Sequence, residues 1–378
     1  MNNKSGKFKI FITCMITLVF ALTSVSCTEQ PTEVPELEIS DSGVDFALAL
    51  AENFPFRNPY SLQEKQAGEF IKSELVKLGY SPIVSNFNNS EDGDNILTSS
   101  NIYIKIPGTG FVISENNADN SNIEERIFKQ IIIGAHYDTQ FGVEQSEDYP
   151  DYDGINDNAS GVGALISVAA ELKEKQMGYD VILVFFGASN DNFAGARYFA
   201  ENMTVQDIAD TDVMYNIESI YAGDKLYANA GNNSLEAGMK YIRRRKLYEI
   251  SDAAINHRID LRFNQSDLDI DVNGDGEDDV YREITKTVSD HTVFDNLGIP
   301  CVFIESYEYF APSVEEQMES RNPYFAETNG MVRGTVNDSL ITLSEIFEED
   351  RLVTRIKNTA FLLIKAIEKG IYLEQYID

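Results

Sequence analysis

The chain has 378 residues, enough for a large hydrophobic core, and carries 62 acidic against 30 basic side chains, for a formal net charge of −32. This excess of negative charge argues against nucleic acid or an anionic membrane surface as a partner. It is compatible with an exported enzyme that binds cations.

The first 27 residues have the pattern of a secretory leader. Three lysines precede the apolar run Ile10–Leu22, which is too short to span a bilayer as a helix. Removing this leader takes away three lysines and no acids, so the net charge becomes −32 − 3 = −35. Ser24–Cys27 is a loose form of the bacterial lipoprotein box, in which the cysteine is lipidated after cleavage. The alternative is an ordinary cleaved signal peptide that contains a cysteine.

We therefore expect a lipid anchor at Cys27, followed by a polar tether over residues 28–44, on a protein of the bacterial cell envelope. The membrane would then be contacted through the lipid alone. If Cys27 carries lipid, Cys301 has no partner for a disulfide, and its apolar neighbours predict a buried thiol.

The segment after the tether predicts two helices and then strands. Asp45–Phe56 has the pattern of a helix, and Ser61–Glu64 is a capping box that begins a second one. Ile102, Ile104 and Ile106 alternate with other residues in the manner of a strand. The polar stretch Asn88–Ser100 is expected to be a loop, and Val112–Arg126 is expected to be an extended polar excursion on the surface.

The central stretch brings polar side chains to the end of a buried strand. Ile131–Ala135 is an apolar, β-branched run typical of a parallel strand, and His136 and Asp138 follow it. Asp157 lies in the loop before the next helix. Since ligands of open α/β sheets gather at the carboxyl ends of strands, these residues are well placed for chemistry.

The rest of the chain continues the alternation of strands and helices. Val213–Glu218, Lys225–Ala230 and Ile299–Glu305 predict strands, and Arg351–Lys369 predicts an amphipathic closing helix. Arg243–Arg245 is expected to lie on a solvated helix face. We therefore predict an α/β fold, a three-layer α/β/α sandwich around a mixed, mostly parallel sheet, forming a single domain over residues 45–378.

The motifs, taken in order, resemble the co-catalytic dizinc aminopeptidases, whose relatives include glutamate carboxypeptidases and glutaminyl cyclases. The resemblance covers about residues 45 to 369. It is carried by these segments: H-x-D at His136–Asp138, D-N-A-S-G-V from Asp157, F-F-G-A at Phe185–Ala188, Asn216-Ile217-Glu218, and Ser289-Asp290-His291.

The resemblance implies a zinc site with one or two ions. His136 and Glu218 would be ligands of the first metal, Asp157 would bridge the two metals, and His291 would be a ligand of the second. Asp138 would orient the metal-bound His136. His257 has no partner motif and is expected at the surface.

The chain departs from the family where two consecutive glutamates are expected. Ser189 replaces the general base, and Asn190 replaces the carboxylate of the second metal, for which it would be a weak, uncharged ligand. Losing a general base costs about 10²–10⁴ in rate. Asp191, one residue further on, is the candidate to act as base or ligand instead.

A separate acidic loop within residues 267–283 resembles a calcium-binding loop. Oxygen side chains occupy alternate positions, but position 12 is Arg282 rather than the expected Glu. A flexible acidic insertion is the alternative. The expected calcium ligands would be Asp271, Asn273, Asp275, Glu277 and Asp279.

Two functions remain open from the sequence. The first is an exported, zinc-dependent aminopeptidase that acts on the N-terminal residues of peptides through an impaired or single-metal site. The second is a lipoprotein that binds a peptide on a degenerate peptidase scaffold without turnover. Acyl transfer of the glutaminyl-cyclase kind is disfavoured, because one of its zinc ligands would fall on Asn190.

Overall fold

The structure is a computed structural model that describes residues 37–92, 95–116, 122–140 and 142–371. The expected leader, the lipidation site at Cys27 and the first part of the tether lie outside the described residues. Within the described part of the chain, no helix is both long and apolar enough to cross a membrane.

The α-helices are α1 Ser42–Asn53, α2 Leu62–Lys77, α3 Ser160–Leu172, α4 Ala194–Glu201, α5 Val205–Asp210, α6 Lys240–Arg243, α7 Arg245–His257, α8 His291–Asp295, α9 Leu340–Ile346 and α10 Arg351–Glu368. The strands are β1 Ile83–Asp92, β2 Asn95–Ile106, β3 Phe111–Asn116, β4 Asn122–Ile127, β5 Gln130–His136, β6 Asp180–Phe186, β7 Thr211–Glu218, β8 Lys225–Ala230, β9 Leu261–Arg262, β10 Asp269–Ile270, β11 Asp279–Val280 and β12 Cys301–Tyr307.

Eight strands form one mixed sheet in the order β1-β2-β6-β5-β7-β12-β8-β9. The centre is parallel, since β5 pairs in parallel with β6 and β7, and β7 pairs in parallel with β12. The flanks are antiparallel at β1–β2, β2–β6 and β12–β8. All parallel strands of the centre therefore end at one edge, which is where the sequence places its polar residues.

Both faces of the sheet are covered, as the uninterrupted apolar runs predict. In β5, Ile131 and Ile133 pack into the core shared with α1, α3 and α10, whereas Ile132 packs on the opposite face with side chains of α4 and α8. This is the expected three-layer α/β/α arrangement. Helices α1 and α3 approach closely because Gly43 and Gly163 lack a side chain at their contact.

The expectation of a loop at Asn88–Ser100 is wrong, whereas the described part of Val112–Arg126 is extended, as expected. The first stretch belongs to the hairpin of β1 and β2, and the second to a separate hairpin of β3 and β4. In the first hairpin, β1 is the edge strand of the sheet. Cross-strand hydrogen bonds, such as that of Thr98 Oγ1 to Asn88 Oδ1 at 3.0 Å, replace apolar packing.

The expectation that Arg243–Arg245 forms a solvated face is also wrong at its centre. Arg244 is buried at the junction of α6 and α7, where its Nη1 lies 2.9 Å from Glu283 Oε2. The prediction assumed one continuous helix with all three arginines on its exposed face. The helix instead breaks between Arg243 and Arg245, which places Arg244 in the interior. Cys301 is buried at the start of β12, as expected.

Candidate metal centre

Three segments deliver oxygen and nitrogen donors to the carboxyl edge of the sheet. His136 is the last residue of β5, and Glu218 is the last residue of its neighbour β7. Asp157 lies in the short turn before α3. Because β5 and β7 are parallel and adjacent, their final side chains lie side by side.

The three side chains form one compact group. His136 Nε2 lies 3.2 Å from Asp157 Oδ1 and 3.4 Å from Glu218 Oε1, and all three residues are buried. Within the residues that the structure describes, this is the group of His, Cys, Asp and Glu side chains whose ligand atoms lie within 4.8 Å of one another. The structure thus brings together three of the metal ligands that the resemblance implied.

The spacing of the three donors fits zinc. In tetrahedral coordination, an imidazole nitrogen and a carboxylate oxygen on the same zinc are about 3.4 Å apart. The distances of 3.2 and 3.4 Å from His136 Nε2 match this value. Three protein donors also leave one position open, as in catalytic zinc sites.

The three side chains shift one another's pKa values. Burial alone would lower the pKa of His136, but Glu218 and hydrogen bonds with Asp138 and Asp157 raise it well above its ordinary range. Burial alone would raise the pKa of Asp157 and of Glu218, but His136 lowers both. A metal ion bound at Nε2 of His136 would compete with a proton for the same nitrogen, so we expect metal affinity to fall as the pH is lowered.

Hydrogen bonds fix the loop that carries Asp157. The two carboxylate oxygens of Asp338 accept hydrogen bonds from Asn156 N at 2.8 Å and Asp157 N at 3.1 Å. Asn158 Nδ2 donates to Ile217 O at 2.9 Å, which ties the loop to the end of β7 beside Glu218. The position of Asp157 thus depends on the side chains of Asp338 and Asn158.

A buried arginine joins the same loop to the end of β5. Arg57 is fully buried and donates to four backbone carbonyls. Its Nε bonds Tyr137 O at 2.8 Å, and its Nη1 and Nη2 bond Asp153 O at 2.7 Å and Gly154 O at 3.1 Å; the fourth acceptor is Phe54 O. Sequence reasoning missed Arg57 and Asp338, because no local motif marks them.

Asp138 has two contacts in the site. His136 Nδ1 lies 3.0 Å from Asp138 O and 3.5 Å from Asp138 Oδ1, which orients Nε2 toward Asp157 and Glu218. The Asp138 carboxylate also accepts hydrogen bonds from Ser189 N at 2.9 Å and Asn190 N at 2.8 Å. Asp138 therefore holds the ring of His136 and the turn at Ser189 and Asn190.

At that turn, neutral side chains take the positions of the two expected glutamates. Ser189 Oγ donates to Asp290 Oδ2 at 3.0 Å, and Asn190 Nδ2 donates to Asp138 Oδ2 at 3.1 Å. Asp191 Oδ2 accepts a hydrogen bond of 2.5 Å from Tyr60 OH, and Asp191 is not among the residues that line the cavity described below. The turn thus brings no carboxylate of its own into the cavity.

His291 lies near the group but is not part of it. It is buried at the start of α8, with its ring centroid 4.5 Å from that of Phe303. Its Nδ1 has no hydrogen-bond partner within the described structure. Burial lowers the pKa of His291 to about 4, so the ring is neutral at pH 7. The adjacent Asp290 has its pKa raised to about 8 by burial.

A cavity of about 450 Å³ opens above these side chains. This volume is in the range of small-molecule sites. His136, Asp157 and Glu218 line its floor together with Ser189 and Asn190 on one side. Arg333, another residue that sequence reasoning missed, also lines the cavity.

The acidic loop expected to bind calcium connects β10 and β11. Its side chains accept hydrogen bonds from the loop's own backbone: Asp271 Oδ1 from Gly274 N at 2.6 Å, and Asn273 Oδ1 from Asp275 N at 2.9 Å. Asp279 Oδ2 accepts from Val272 N at 3.2 Å. The carboxylates of Asp275 and Glu277 are part of the same loop, and calcium binding there stays a prediction.

His257, expected at the surface, is half-buried against Phe361.

The fold is that of the zinc aminopeptidases, and the donor group could hold a metal ion. The model of peptidase family M28 matches residues 121–325, more than half of the chain, and the protein therefore belongs to that family. The resemblance drawn from the motifs is confirmed, and the protein is an aminopeptidase-like hydrolase of this family.

Known proteins similar to the chain agree with this assignment. The alkaline phosphatase isozyme conversion protein of Escherichia coli K12 is 24% identical over 292 residues, which cover 75% of this chain and 77% of that protein. BSAP, a zinc aminopeptidase from Bacillus subtilis, has a TM-score of 0.59 at 14% identity, covering 88% of this chain and 97% of its own. A glutaminyl cyclase from an Acidobacteriales bacterium has a TM-score of 0.59 at 16% identity, covering 86% and 92%. At these identities the two structures establish the fold.

Proposed function

We propose that the protein is an exported aminopeptidase-like hydrolase that uses one zinc ion to remove N-terminal residues from peptides. The observation that carries the proposal is the group of His136, Asp157 and Glu218 on the floor of a cavity of about 450 Å³. Zinc bound there would acidify a water molecule and polarise the scissile carbonyl. A peptide is the expected substrate.

The altered turn supports a single ion rather than two. A second ion would have to bind to Asp157 and His291 with Asn190 as its remaining ligand. Asn190 brings no negative charge, and its amide already bonds Asp138. Divalent cations need charged or strongly donating ligands to leave water. We therefore expect the second ion to bind weakly.

The same turn lacks the family's proton acceptor. Ser189 has no accessible pKa at neutral pH, and Asp191 bonds Tyr60. If Asp191 accepts the proton, this contact must first open. We expect turnover to be slower by about 10²–10⁴ than that of an enzyme with a placed general base.

Export and lipid attachment are proposed from the leader sequence. Cys27 follows a leader of the secretory kind and precedes a polar stretch. Mass spectrometry of the mature protein should find a lipidated Cys27 as its first residue. A Cys27→Ser variant should lose the lipid and be released from the membrane fraction. An unmodified N-terminus elsewhere would contradict the anchor.

A second function, peptide binding without turnover, is favoured by the neutral side chains of Ser189 and Asn190. The two functions differ in one assay. Purified protein should hydrolyse aminoacyl-nitroanilides when Zn²⁺, Co²⁺ or Mn²⁺ is added, and Asp157→Ala should reduce this activity to background. The matched control is Asp252→Ala, which removes an exposed carboxylate paired with Lys369 and should leave the activity unchanged.

Hydrolysis that is lost with Asp157 supports the enzyme. Saturable binding of a peptide, with no hydrolysis under any of these metals, would instead establish the binding function. Activity that persists in Asp157→Ala would contradict the proposed metal centre.

A further inference from the structure

The cavity contains a fixed positive charge that the motifs did not indicate. Arg333 comes from the segment between β12 and α9, far from the motif residues in sequence, and lines the cavity beside Glu218. Its Nη1 lies 3.8 Å from Glu218 Oε1, the same oxygen that lies 3.4 Å from His136 Nε2. The guanidinium is thus an immediate neighbour of the donor group.

Two buried carboxylates hold this guanidinium in place. Arg333 Nη2 lies 2.8 Å from Glu305 Oε2, and Arg333 Nε lies 3.2 Å from Glu319 Oε1. Glu305 and Glu319 are fully buried. Burial alone would lower the pKa of Arg333, but Glu319, Glu305 and Glu218 hold it well above its ordinary range. The side chain is therefore charged, with a hydrogen bond to Glu305 and an ion-pair contact with Glu319.

The third side of the guanidinium faces the cavity. At 3.8 Å, the contact of Nη1 with Glu218 is too long for a hydrogen bond. This contact is electrostatic and does not occupy the N–H groups of Nη1. A preorganised donor of this kind stabilises negative charge that develops on a reacting oxygen.

Within the described residues, the side of the cavity lined by Ser189 and Asn190 lacks positive charge. A family member with two metals has two divalent cations over the reacting carbonyl. Here Asn190 replaces the carboxylate ligand of the second metal, and Ser189 replaces the general base. We propose that Arg333 is a catalytic residue whose guanidinium, from its position beside Glu218, stabilises the negative charge on the carbonyl oxygen of the substrate next to a single zinc, and so supplies positive charge that a second metal ion would otherwise supply. This proposal rests on the proposed function.

The charge balance disfavours the other use of a cavity arginine, which is to bind a carboxylate of the substrate. Four carboxylates, those of Asp157, Glu218, Glu305 and Glu319, act on the guanidinium of Arg333, so negative charge is in excess around it. An entering carboxylate would add to that excess, whereas a carbonyl oxygen carries no net charge into the cavity.

The test must separate this role from a structural one, because Arg333 also neutralises buried carboxylates. The reference protein is therefore the double variant Glu305→Gln with Glu319→Gln, in which Arg333 has no anion to neutralise there. Adding Arg333→Met to this double variant removes one positive charge from the cavity. It leaves no unpaired carboxylate at positions 305 and 319, because both are already glutamine. Arg262→Met, at an exposed pair with Asp260, is the surface control.

Two readouts are measured on these folded proteins. Calorimetric titration with Zn²⁺ alone should show at least tenfold tighter binding when Arg333 is replaced, because a positive charge beside Glu218 is removed. With zinc bound, kcat on an aminoacyl-nitroanilide should fall at least 100-fold while KM changes little. Arg333→Lys in the reference protein should restore part of kcat.

Unchanged zinc affinity and unchanged kcat would overturn the role of Arg333, and a selective rise in KM would show ligand anchoring instead. If the natural protein binds zinc but hydrolyses nothing, the proposed function fails. In that case the zinc titration still tests whether the charge of Arg333 weakens zinc binding. The absence of hydrolysis overturns the catalytic role of Arg333.

Discussion

The two corners of the cavity differ in how much of a metal centre they retain. At the first, His136, Asp157 and Glu218 converge with distances that suit zinc. At the second, the neutral side chains of Ser189 and Asn190 donate hydrogen bonds to Asp290 and Asp138, and His291 is buried apart from the donor group.

This comparison shows that the scaffold and the chemistry are supported by different residues. The backbone at the second corner is held by Asp138, which accepts hydrogen bonds from Ser189 N and Asn190 N. Those bonds need no particular side chain at either position. The turn can therefore lose its carboxylates without losing its conformation, while the first corner depends on the side chains themselves.

The largest expected effect comes from restoring the second corner. Ser189→Glu with Asn190→Glu supplies a proton acceptor and a charged ligand next to a cavity that has room for both. Nitroanilide hydrolysis should rise by about 10²–10⁴. Ser189→Gln with Asn190→Gln has the same size without the charge and should give no increase. An equal response from both pairs would show that size, not charge, matters at this turn.

The next effect concerns the support of the first corner. Asp338→Ala removes the acceptors of Asn156 N and Asp157 N in a buried site. We expect a loss of about 3 kcal/mol in the free energy of unfolding, measured with denaturant, and weaker zinc binding. Asp338→Asn keeps one acceptor oxygen and should lose less. Full stability with unchanged zinc affinity in Asp338→Ala would show that the loop holds Asp157 unaided.

The smallest effect concerns the support of the second corner. Glu64 Oε1 accepts a hydrogen bond from Ala188 N at 2.7 Å, and burial, with the charge of Asp138, raises the pKa of Glu64 to about 8. Because this pKa lies above the unfolded value of 4.5, the folded state binds more protons between the two values. The stabilisation is complete below about pH 4.5 and is lost as the pH rises through about 8.

Replacing Glu64 by Gln should remove this dependence. Thermal unfolding of Glu64→Gln should therefore change less between pH 5 and 8 than that of the natural protein. Glu69→Gln, on the exposed side of the same helix, is the control and should keep the natural profile. A slope that is the same in all three proteins would contradict the assignment of this titration to Glu64.

Much of the first corner could be predicted from sequence because its residues lie in short, ordered motifs at strand ends. The apolar, β-branched run Ile131–Ala135 predicts that His136 lies at the carboxyl edge of the sheet. Asp157 and Glu218 followed from the family resemblance. The three-layer architecture followed from alternating elements with apolar runs.

The missed residues share a physical reason. Arg57, Asp338 and Arg333 act through contacts with distant segments, such as the bond of Asp338 to Asn156 across 182 positions. No periodicity or spacing records such a contact. The hairpin of β1 and β2 was missed for a related reason, since polar cross-strand pairs leave no apolar alternation to detect.

The number of zinc ions per chain tests the central claim most directly. Protein equilibrated with micromolar free zinc, then separated from it and analysed by inductively coupled plasma mass spectrometry, should contain one zinc per chain. The Asp157→Ala protein should contain none. Two ions per natural chain would contradict the account of the second corner, and none would contradict the metal centre itself.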